Sequence, residues 1–266
     1  MSEPKVKLDI QDNIATLTLN DPAALNAVSI PMLEALADAL SEIENPDNNV
    51  RCVLMTGEGR GFCAGANLQG RGSSDESSNQ RPDAGNALEV YYHPILRRIR
   101  NLPMPFITAV NGPAAGVGMS FAIMGDLVLA AESAYFMQAF RRIGLVPDGG
   151  STYVLPRLVG VARAKELSLL GEKLPAQKAM DWGIVNRIYA DDELMTEARA
   201  MAADLASGPT VSLGMIRNLY WNTLDNTFEQ QVDLERQSQR IAGRTDDFAE
   251  GVQAFLEKRP AKFEGK

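Results

Sequence analysis

The sequence contains little of the chemistry on which many active sites depend. It has one histidine, His93, and two cysteines, Cys52 and Cys63, among 266 residues. A single histidine excludes a multi-histidine metal site and makes any Ser-His-Asp arrangement depend on that residue. Two cysteines cannot build a disulfide scaffold, and they are typical of a reducing compartment. These shortages point away from metal centres and from disulfide-stabilised folds.

Long hydrophobic runs and an excess of positive charge are also missing. No stretch approaches the ~20 apolar residues of a membrane span, and residues 1–7 lack the hydrophobic core of a secretion signal. Lys and Arg total 26 against 34 Asp and Glu, so the net charge is −8. That balance argues against a nucleic-acid groove, where basic residues cluster. We expect a cytoplasmic protein without membrane or nucleic-acid partners.

The composition is that of a globular enzyme or binding protein, with 45% hydrophobic and 23% charged residues. A chain of this length buries roughly 70–75% of its unfolded surface. It therefore needs neither a disulfide nor a metal for stability. The length predicts one large domain or two unequal ones.

Hydrophobic periodicity predicts a layered α/β domain. Residues 6–10 and 14–19 alternate as two strands around a turn, and Ser29 caps a helix that runs to about Ile43. A polar stretch at 57–86 predicts a loop that is mobile or ordered by a ligand. Further elements are predicted as strands at 50–56, 106–111, 126–131 and 135–137, and as helices at 87–101, 116–124 and from about 176 onward. The recurring unit is typical of right-handed α/β connections.

Two glycine-rich turns each follow a predicted strand, at residues 61–68 and 111–118. Small residues let a ligand approach the backbone, so that peptide N–H groups become the binding groups. The second turn runs into a helix, whose N-terminus favours negative charge. Two N–H donors converging from separate loops would form an oxyanion hole. Packing alone also explains either turn, and neither matches a dinucleotide-binding motif.

Several motifs, in order along the chain, resemble the crotonase (enoyl-CoA hydratase/isomerase) superfamily. They are Asp21-Pro22 with Leu25-Asn26-Ala27, the stretch Gly61-Phe62-Cys63-Ala64-Gly65-Ala66-Asn67-Leu68, Ala109-Val110-Asn111-Gly112-Pro113-Ala114-Ala115-Gly116, Asp126-Leu127-Val128-Leu129-Ala130, Gly144-Leu145-Val146-Pro147-Asp148-Gly149-Gly150, and Glu257-Lys258-Arg259-Pro260. The resemblance covers essentially the full length. It implies an α/β fold, a crotonase-like spiral of ββα units over 1–195, with a helical C-terminal trimerisation module over 196–266.

The resemblance also implies a substrate and a site. The family's two backbone donors, which hold the thioester oxygen of an acyl-CoA, correspond to Ala66 and Val117. Asn67 stands where the family usually has aspartate, and Val117 where it usually has glycine. Coenzyme A is part of the substrate, so no separate cofactor is expected. Other residues expected to contact the acyl-CoA are Asn26, Ala27, Ala64, Gly65, Asn67, Leu68, Gly116 and Phe140.

The reaction depends on which carboxylates are present. Hydration of an enoyl-CoA needs two carboxylates around one water, and the family's hydratase glutamates correspond here to Ser120 and Phe140. Asp148 matches instead the acid of the branch that contains enoyl-CoA isomerases and the ring-1,2-epoxyphenylacetyl-CoA isomerase. One carboxylate can move a proton within the substrate. A helix cap near Gly149 is the alternative interpretation of Asp148.

The C-terminus and the assembly state follow from the same resemblance. Lys258 and Lys262 are expected near the adenosine phosphate of coenzyme A, and the chain is expected to form a homotrimer or a dimer of trimers. The leading hypothesis is an acyl-CoA isomerase with Asp148 as proton shuttle. An enoyl-CoA hydratase, a CoA-thioester hydrolase, and a non-catalytic acyl-CoA- or RNA-binding member stay as alternatives.

Overall fold

A computed structural model describes residues 3–68 and 83–266. Part of the predicted loop at 57–86, residues 69–82, lies outside the described residues. The strands found in the described ranges are β1 Val6–Gln11, β2 Ile14–Leu19, β3 Cys52–Gly57, β4 Phe106–Val110, β5 Pro113–Ala115, β6 Leu127–Ala131, β7 Tyr135–Met137, β8 Leu174–Pro175 and β9 Arg187–Tyr189.

The helices alternate with these strands and then dominate the C-terminal part. They are α1 Ile30–Glu44, α2 Ala84–Ala87, α3 His93–Asn101, α4 Val117–Ala122, α5 Ser151–Val159, α6 Val161–Leu170, α7 Ala176–Asp181, α8 Leu194–Ser207, α9 Thr210–Asn222, α10 Phe228–Ala242 and α11 Asp246–Glu257. A π-helical turn, Leu88–Tyr92, joins α2 to α3. The predicted helix at 87–101 is therefore confirmed and begins slightly earlier.

Two sheets share the strands. The larger has the order β1-β2-β3-β4-β6-β9, in which only the β1–β2 pair is antiparallel, and the smaller has the order β5-β7-β8. The chain passes from β4 in the larger sheet to β5 in the smaller, and from β6 to β7 in the same way. These two repeats thus each contribute one strand to each sheet, which agrees with the predicted spiral of ββα units.

Local sequence signals explain the first elements. Asp12 and Asn13 have positive φ angles of 51° and 63°, which suits the tight turn between β1 and β2 because Asp and Asn tolerate this conformation. The Ser29 side chain accepts a hydrogen bond from the Met32 amide and caps α1 as predicted. Pro31 lies in the first turn of α1, where its missing N–H breaks no helical bond.

Three sequence predictions need correction or refinement. The second glycine-rich turn forms the short strand β5 before its helix, because the turn pairs with β7 across the smaller sheet. The segment after 176 is almost wholly helical as predicted, except that β9 interrupts it and extends the larger sheet beside β6. The helix expected near Gly149 begins at Ser151, with Gly150 as its N-cap.

Helix α8 belongs to the core of the spiral. Its residues Leu194, Ala198, Ala202 and Ala206 lie four apart and are buried in the central hydrophobic cluster. The predicted division after residue 195 would therefore fall within the first turn of α8, and the two-part division stays a prediction. Among residues 3–68 and 83–266, no helix is long and apolar enough to cross a bilayer.

A buried arginine fastens α9 to the larger sheet. Arg217 is 6% exposed, and its Nε donates to Asp126 Oδ2 at 2.6 Å. Its Nη2 donates to the Ile99 carbonyl at 2.6 Å and its Nη1 to that of Leu102 at 3.0 Å. Because the guanidinium has a partner on each side, the start of the helical part is held firmly against the strands.

Candidate active site

The two glycine-rich turns lie side by side. The Cys63 amide donates to the Pro113 carbonyl at 3.0 Å, and the Ala115 amide donates to the Cys63 carbonyl at 2.9 Å. Where Gly65 carries a hydrogen, a Cβ would lie 3.0 Å from the Ala115 carbonyl oxygen and 3.9 Å from Gly116 Cα. The backbones of the two turns are therefore in van der Waals contact.

The amides of Ala66 and Val117 stand out within this contact. In the part of the chain that the structure describes, neither donates a hydrogen bond. Their neighbours do: Gly116 donates to the Met137 carbonyl at 2.9 Å and Asn67 to that of Val28 at 2.8 Å. Val117 is 2% exposed. A buried N–H group without an acceptor is energetically costly. An oxygen atom of a bound ligand could accept hydrogen bonds from both amides.

Asp148 lies on a turn that packs against α4, the helix that Val117 begins. A Cβ on the next residue, Gly149, would lie 2.7 Å from Ser120 Cβ and 3.2 Å from Val117 Cγ2. Asp148 itself is half-buried. The helix-cap interpretation is wrong, since Gly150 is the N-cap of α5 and no side chain caps that helix. The fold thus brings the predicted acid to the helix that carries one predicted donor.

The two positions that match the hydratase glutamates contribute no carboxylate. The Ser120 hydroxyl donates to the Asp148 carbonyl at 2.9 Å. Phe140 is 6% exposed, and its Cζ lies 3.9 Å from where a Cβ on Gly116 would be. Its ring therefore packs against the second turn. A water held between two carboxylates has no counterpart at these two positions.

Asn26 holds the first turn in place. Its side chain is fully buried; the Nδ2 group donates to the carbonyls of Gly61 at 2.7 Å and Glu58 at 3.0 Å, and Oδ1 accepts from the Asp21 amide. The Asn26 amide donates in turn to the Asp21 carbonyl at 2.9 Å, so both its side chain and its backbone N–H hold the loop. The Ala64 amide donates to Leu25. Among the other predicted contact residues, Ala27, Ala64 and Asn67 are half-buried, and Leu68 is exposed at the end of the first described range.

The predicted C-terminal contacts lie at the end of α11 and shortly after it. Lys258 is exposed and is the C-cap of α11. Lys262 borders a cavity of about 540 Å³ whose other lining residues are Arg259 and the acidic Asp246, Asp247, Glu250 and Glu264. Arg259 is paired with Glu250 at 2.6 Å, which holds the pKa of that carboxyl at about 2. This acidic surrounding opposes a phosphate, and the role of both lysines stays a prediction.

The two thiols are protonated and inaccessible. Burial raises the pKa of Cys63, which lies inside the first turn, to about 12, and it does the same for Cys52 in β3. Neither can act as a thiolate nucleophile near neutral pH. Within the described residues, no group of His, Cys, Asp and Glu is arranged to hold a metal ion.

Stability should therefore fall at alkaline pH. An unfolded cysteine loses its proton near its ordinary pKa of 9.0, whereas the folded thiols keep theirs to about 12. Between these values the unfolded state binds fewer protons, so the free energy of unfolding decreases as pH rises. Urea denaturation across this range should show a steeper decline for the wild type than for Cys63→Ala. Equal slopes would contradict the buried-thiol assignment.

Sequence reasoning missed the hydrogen bonds that hold the backbone carbonyl of Asp148. The Asp148 carbonyl accepts hydrogen bonds from the Ser120 hydroxyl, from the Ser151 hydroxyl at 2.9 Å and from the Ser151 amide at 3.1 Å. Gly149 and Gly150 follow Asp148, and both have positive φ angles. In the sequence, this pair of glycines indicates a place where another element could approach the backbone closely. Nothing in the spacing indicated that Ser120 would be the residue approached.

Comparison with known proteins gives one consistent family. The family model described as "Enoyl-CoA hydratase/isomerase" matches residues 9–266. The chain is 45% identical over 257 residues to the 1,2-epoxyphenylacetyl-CoA isomerase of Escherichia coli K12, covering 97% of both chains. It is 39% identical over 266 residues to a Rhodobacter capsulatus protein named as a probable enoyl-CoA hydratase, covering 100% of both.

Solved structures agree with the spiral architecture. The crystal structure of an enoyl-CoA hydratase from Polaromonas sp. JS666 superposes with a TM-score of 0.87 at 34% identity, covering 97% of this chain and 99% of that one. The match spans the two sheets and the C-terminal helices alike.

Proposed function

Because the chain belongs to the enoyl-CoA hydratase/isomerase family, we propose that it isomerises an acyl-CoA thioester through an enolate. The observation that carries this proposal is the position of Asp148, on a turn packed against the helix that Val117 begins. An isomerase removes a proton from one carbon and returns it to another, so a single carboxylate is enough.

The amides of Ala66 and Val117 are assigned to the thioester oxygen. When a base removes the α-proton, the electron pair of the C–H bond moves into the thioester and the oxygen becomes negative. Two N–H donors stabilise that charge, and each such donor contributes about 10²–10³-fold in rate where it has been measured. In support, these two amides have no acceptor among the described residues while adjacent amides do.

Asp148 is assigned as the base that receives this proton and returns it elsewhere on the same molecule. For a shift of a double bond, the carboxylate takes the proton at the α-carbon and delivers it to the γ-carbon, or the reverse. No water or second acid enters this balance. Close packing of Gly149 on Val117 and Ser120 supports the assignment, because it fixes the turn relative to α4.

The substrate is assigned as an acyl-CoA whose double bond or ring lies next to the α-carbon. The E. coli relative is named for a ring epoxide of phenylacetyl-CoA. The buried Phe140 ring beside Gly116 supports an apolar or aromatic acyl group at this end of the site. The other expected contacts belong to the same proposal: Asn26 and Ala27 before α1, Ala64, Gly65, Asn67 and Leu68 on the first turn, Gly116 on the second, and Lys258 and Lys262 near the C-terminus.

Hydration is the alternative reaction, and the R. capsulatus relative's name supports it. Against it, Ser120 and Phe140 supply no acid or base at the positions that matter. A hydratase that used Asp148 alone would lack a second group to hold the water or to help protonate the α-carbon.

Self-association is part of the proposal, as a homotrimer or a dimer of trimers. The helical part leaves large apolar side chains exposed, at Tyr220, Leu224, Phe228, Phe248, Phe255 and Leu256. An open cavity of about 570 Å³ between α5 and α9 is lined by several more. Apolar surface of this extent supports burial against further copies of the chain.

Product mass distinguishes the reactions. The enzyme is incubated with a β,γ-unsaturated acyl-CoA, a ring-epoxide acyl-CoA and an α,β-enoyl-CoA, and the products are separated and weighed by mass spectrometry. We expect products of unchanged mass from at least one of the first two substrates. A product heavier by one water from the α,β-enoyl-CoA, at a comparable rate, would establish a hydratase. Release of free coenzyme A would establish a hydrolase.

A further inference from the structure

Ser120 makes an unusual contact for a buried serine. It is 1% exposed, and its hydroxyl donates at 2.9 Å to the backbone carbonyl of Asp148, a residue 28 positions away. A second contact, to the Gly116 carbonyl within its own helix, is long at 3.5 Å. The stronger bond therefore connects α4 to the turn of the acid rather than closing on its own helix.

The turn and the helix pack closely around this bond. A Cβ on Gly149 would lie 2.7 Å from Ser120 Cβ and 2.9 Å from its Oγ, and the φ of Gly149 is 63°. Both conditions demand glycine on the turn, and a short side chain on the helix. The Asp148 carbonyl also accepts from Ser151, so donors on both sides hold this peptide group.

Helix α4 carries two parts of the proposed site on one rigid element. Val117 is its first residue, and Ser120 follows three positions later, on the same face of the helix. Whatever moves α4 would therefore move the Val117 amide and the attachment of Asp148 together.

From this geometry we infer that Ser120 is a positioning residue, which sets the Asp148 carboxylate at a fixed distance from the Val117 amide. The inference rests on the proposed function, in which the first is the base and the second an oxyanion donor. It also gives Ser120 a task in the reaction although it cannot be an acid or base itself. Positioning errors of about 1 Å cost on the order of 10²-fold in rate.

Kinetics of Ser120→Ala test the inference. Loss of the hydroxyl frees the turn on one side, so we expect kcat to fall by about 10- to 100-fold with KM little changed. Ser151→Ala should lose less, because the Ser151 amide still bonds the same carbonyl. The matched control is Ser238→Ala. Among residues 3–68 and 83–266, the Ser238 hydroxyl bonds only a carbonyl of its own helix α10, so kcat should equal that of the wild type. Thermal midpoints are measured alongside, and kinetics are run well below them.

A double-mutant cycle separates positioning from a general structural effect. In the Asp148→Asn background, adding Ser120→Ala should change the residual rate by less than about twofold, because there is no base left to position. An unchanged kcat in Ser120→Ala overturns the inference, and so does a loss that is fully additive with Asp148→Asn. In both cases an inactive Asp148→Asn leaves the proposed function intact. Wild-type turnover in Asp148→Asn overturns both.

Discussion

Replacing Asp148 by asparagine is expected to lower kcat by roughly 10³–10⁴-fold, near the upper end of what a general base contributes. Asparagine has almost the same size and shape as aspartate, but its amide cannot take a proton. Asp148 is half-buried on a turn held by Ser120 and Ser151, and those bonds go to its backbone. They survive the substitution, so acyl-CoA affinity should stay close to that of the wild type.

Steady-state kinetics and calorimetric titration with a non-reacting acyl-CoA measure the two quantities separately. The matched control is Asp38→Asn, the same substitution at an exposed position of α1, which should leave both unchanged. A variant that keeps more than about a tenth of the wild-type kcat would show that Asp148 is not the base. A variant that no longer binds acyl-CoA would place Asp148 in binding rather than in chemistry.

The second large effect is expected from Gly118→Ala. A Cβ at this position would overlap the Cys63 carbonyl oxygen and would lie 2.8 Å from both the Cys63 carbonyl carbon and Cys63 Cβ. The obstruction is backbone, so α4 and the first turn must move apart. Val117 precedes Gly118 and Ala66 follows Cys63, so the two amides would separate. Loss of one oxyanion donor costs about 10²–10³-fold in kcat, and we expect that loss here.

Gly251→Ala is the control for this substitution. Gly251 lies in α11, where a Cβ would come no closer than 3.4 Å to the Phe263 ring, and alanine favours a helix over glycine. We expect unchanged kcat and equal or higher stability for Gly251→Ala. Gly118→Ala is folded if its circular dichroism matches the wild type. Full activity in a folded Gly118→Ala would mean that the separation of the two turns does not matter for catalysis.

Much of the fold could be predicted from sequence because its signals are local. The alternation in β1 and β2, the Ser29 cap and the polar turn between the first strands each depend on neighbouring residues. Strand β5 could not be predicted in this way, since it begins at Pro113 and has three residues. It exists because β7 pairs with it and Cys63 bridges to it, and such pairings depend on the whole fold.

The same distinction between local signals and long-range contacts applies to the site. Family motifs indicated Ala66, Val117 and Asp148, and the fold places the turns that carry them in contact. The hydrogen bond from Ser120 to Asp148 joins a side chain to a distant carbonyl, and a contact of that kind leaves no periodic pattern in the sequence. Asn26 was expected to contact the substrate, whereas its side-chain amide donates hydrogen bonds to the carbonyls of Glu58 and Gly61. An asparagine that binds backbone cannot be told from one that binds ligand without coordinates.

The most direct test of the central claim is exchange of the α-proton with deuterated water in a saturated acyl-CoA. Such a compound can form the enolate but cannot react further. Deuterium reaches the α-carbon when the proton held by the Asp148 carboxyl exchanges with the solvent before it is returned, so exchange reports proton removal without the rest of the reaction. The account predicts that the wild type incorporates deuterium at the α-carbon, measured by mass spectrometry or NMR, and that Asp148→Asn does not. Exchange that persists at the wild-type rate in Asp148→Asn would contradict it.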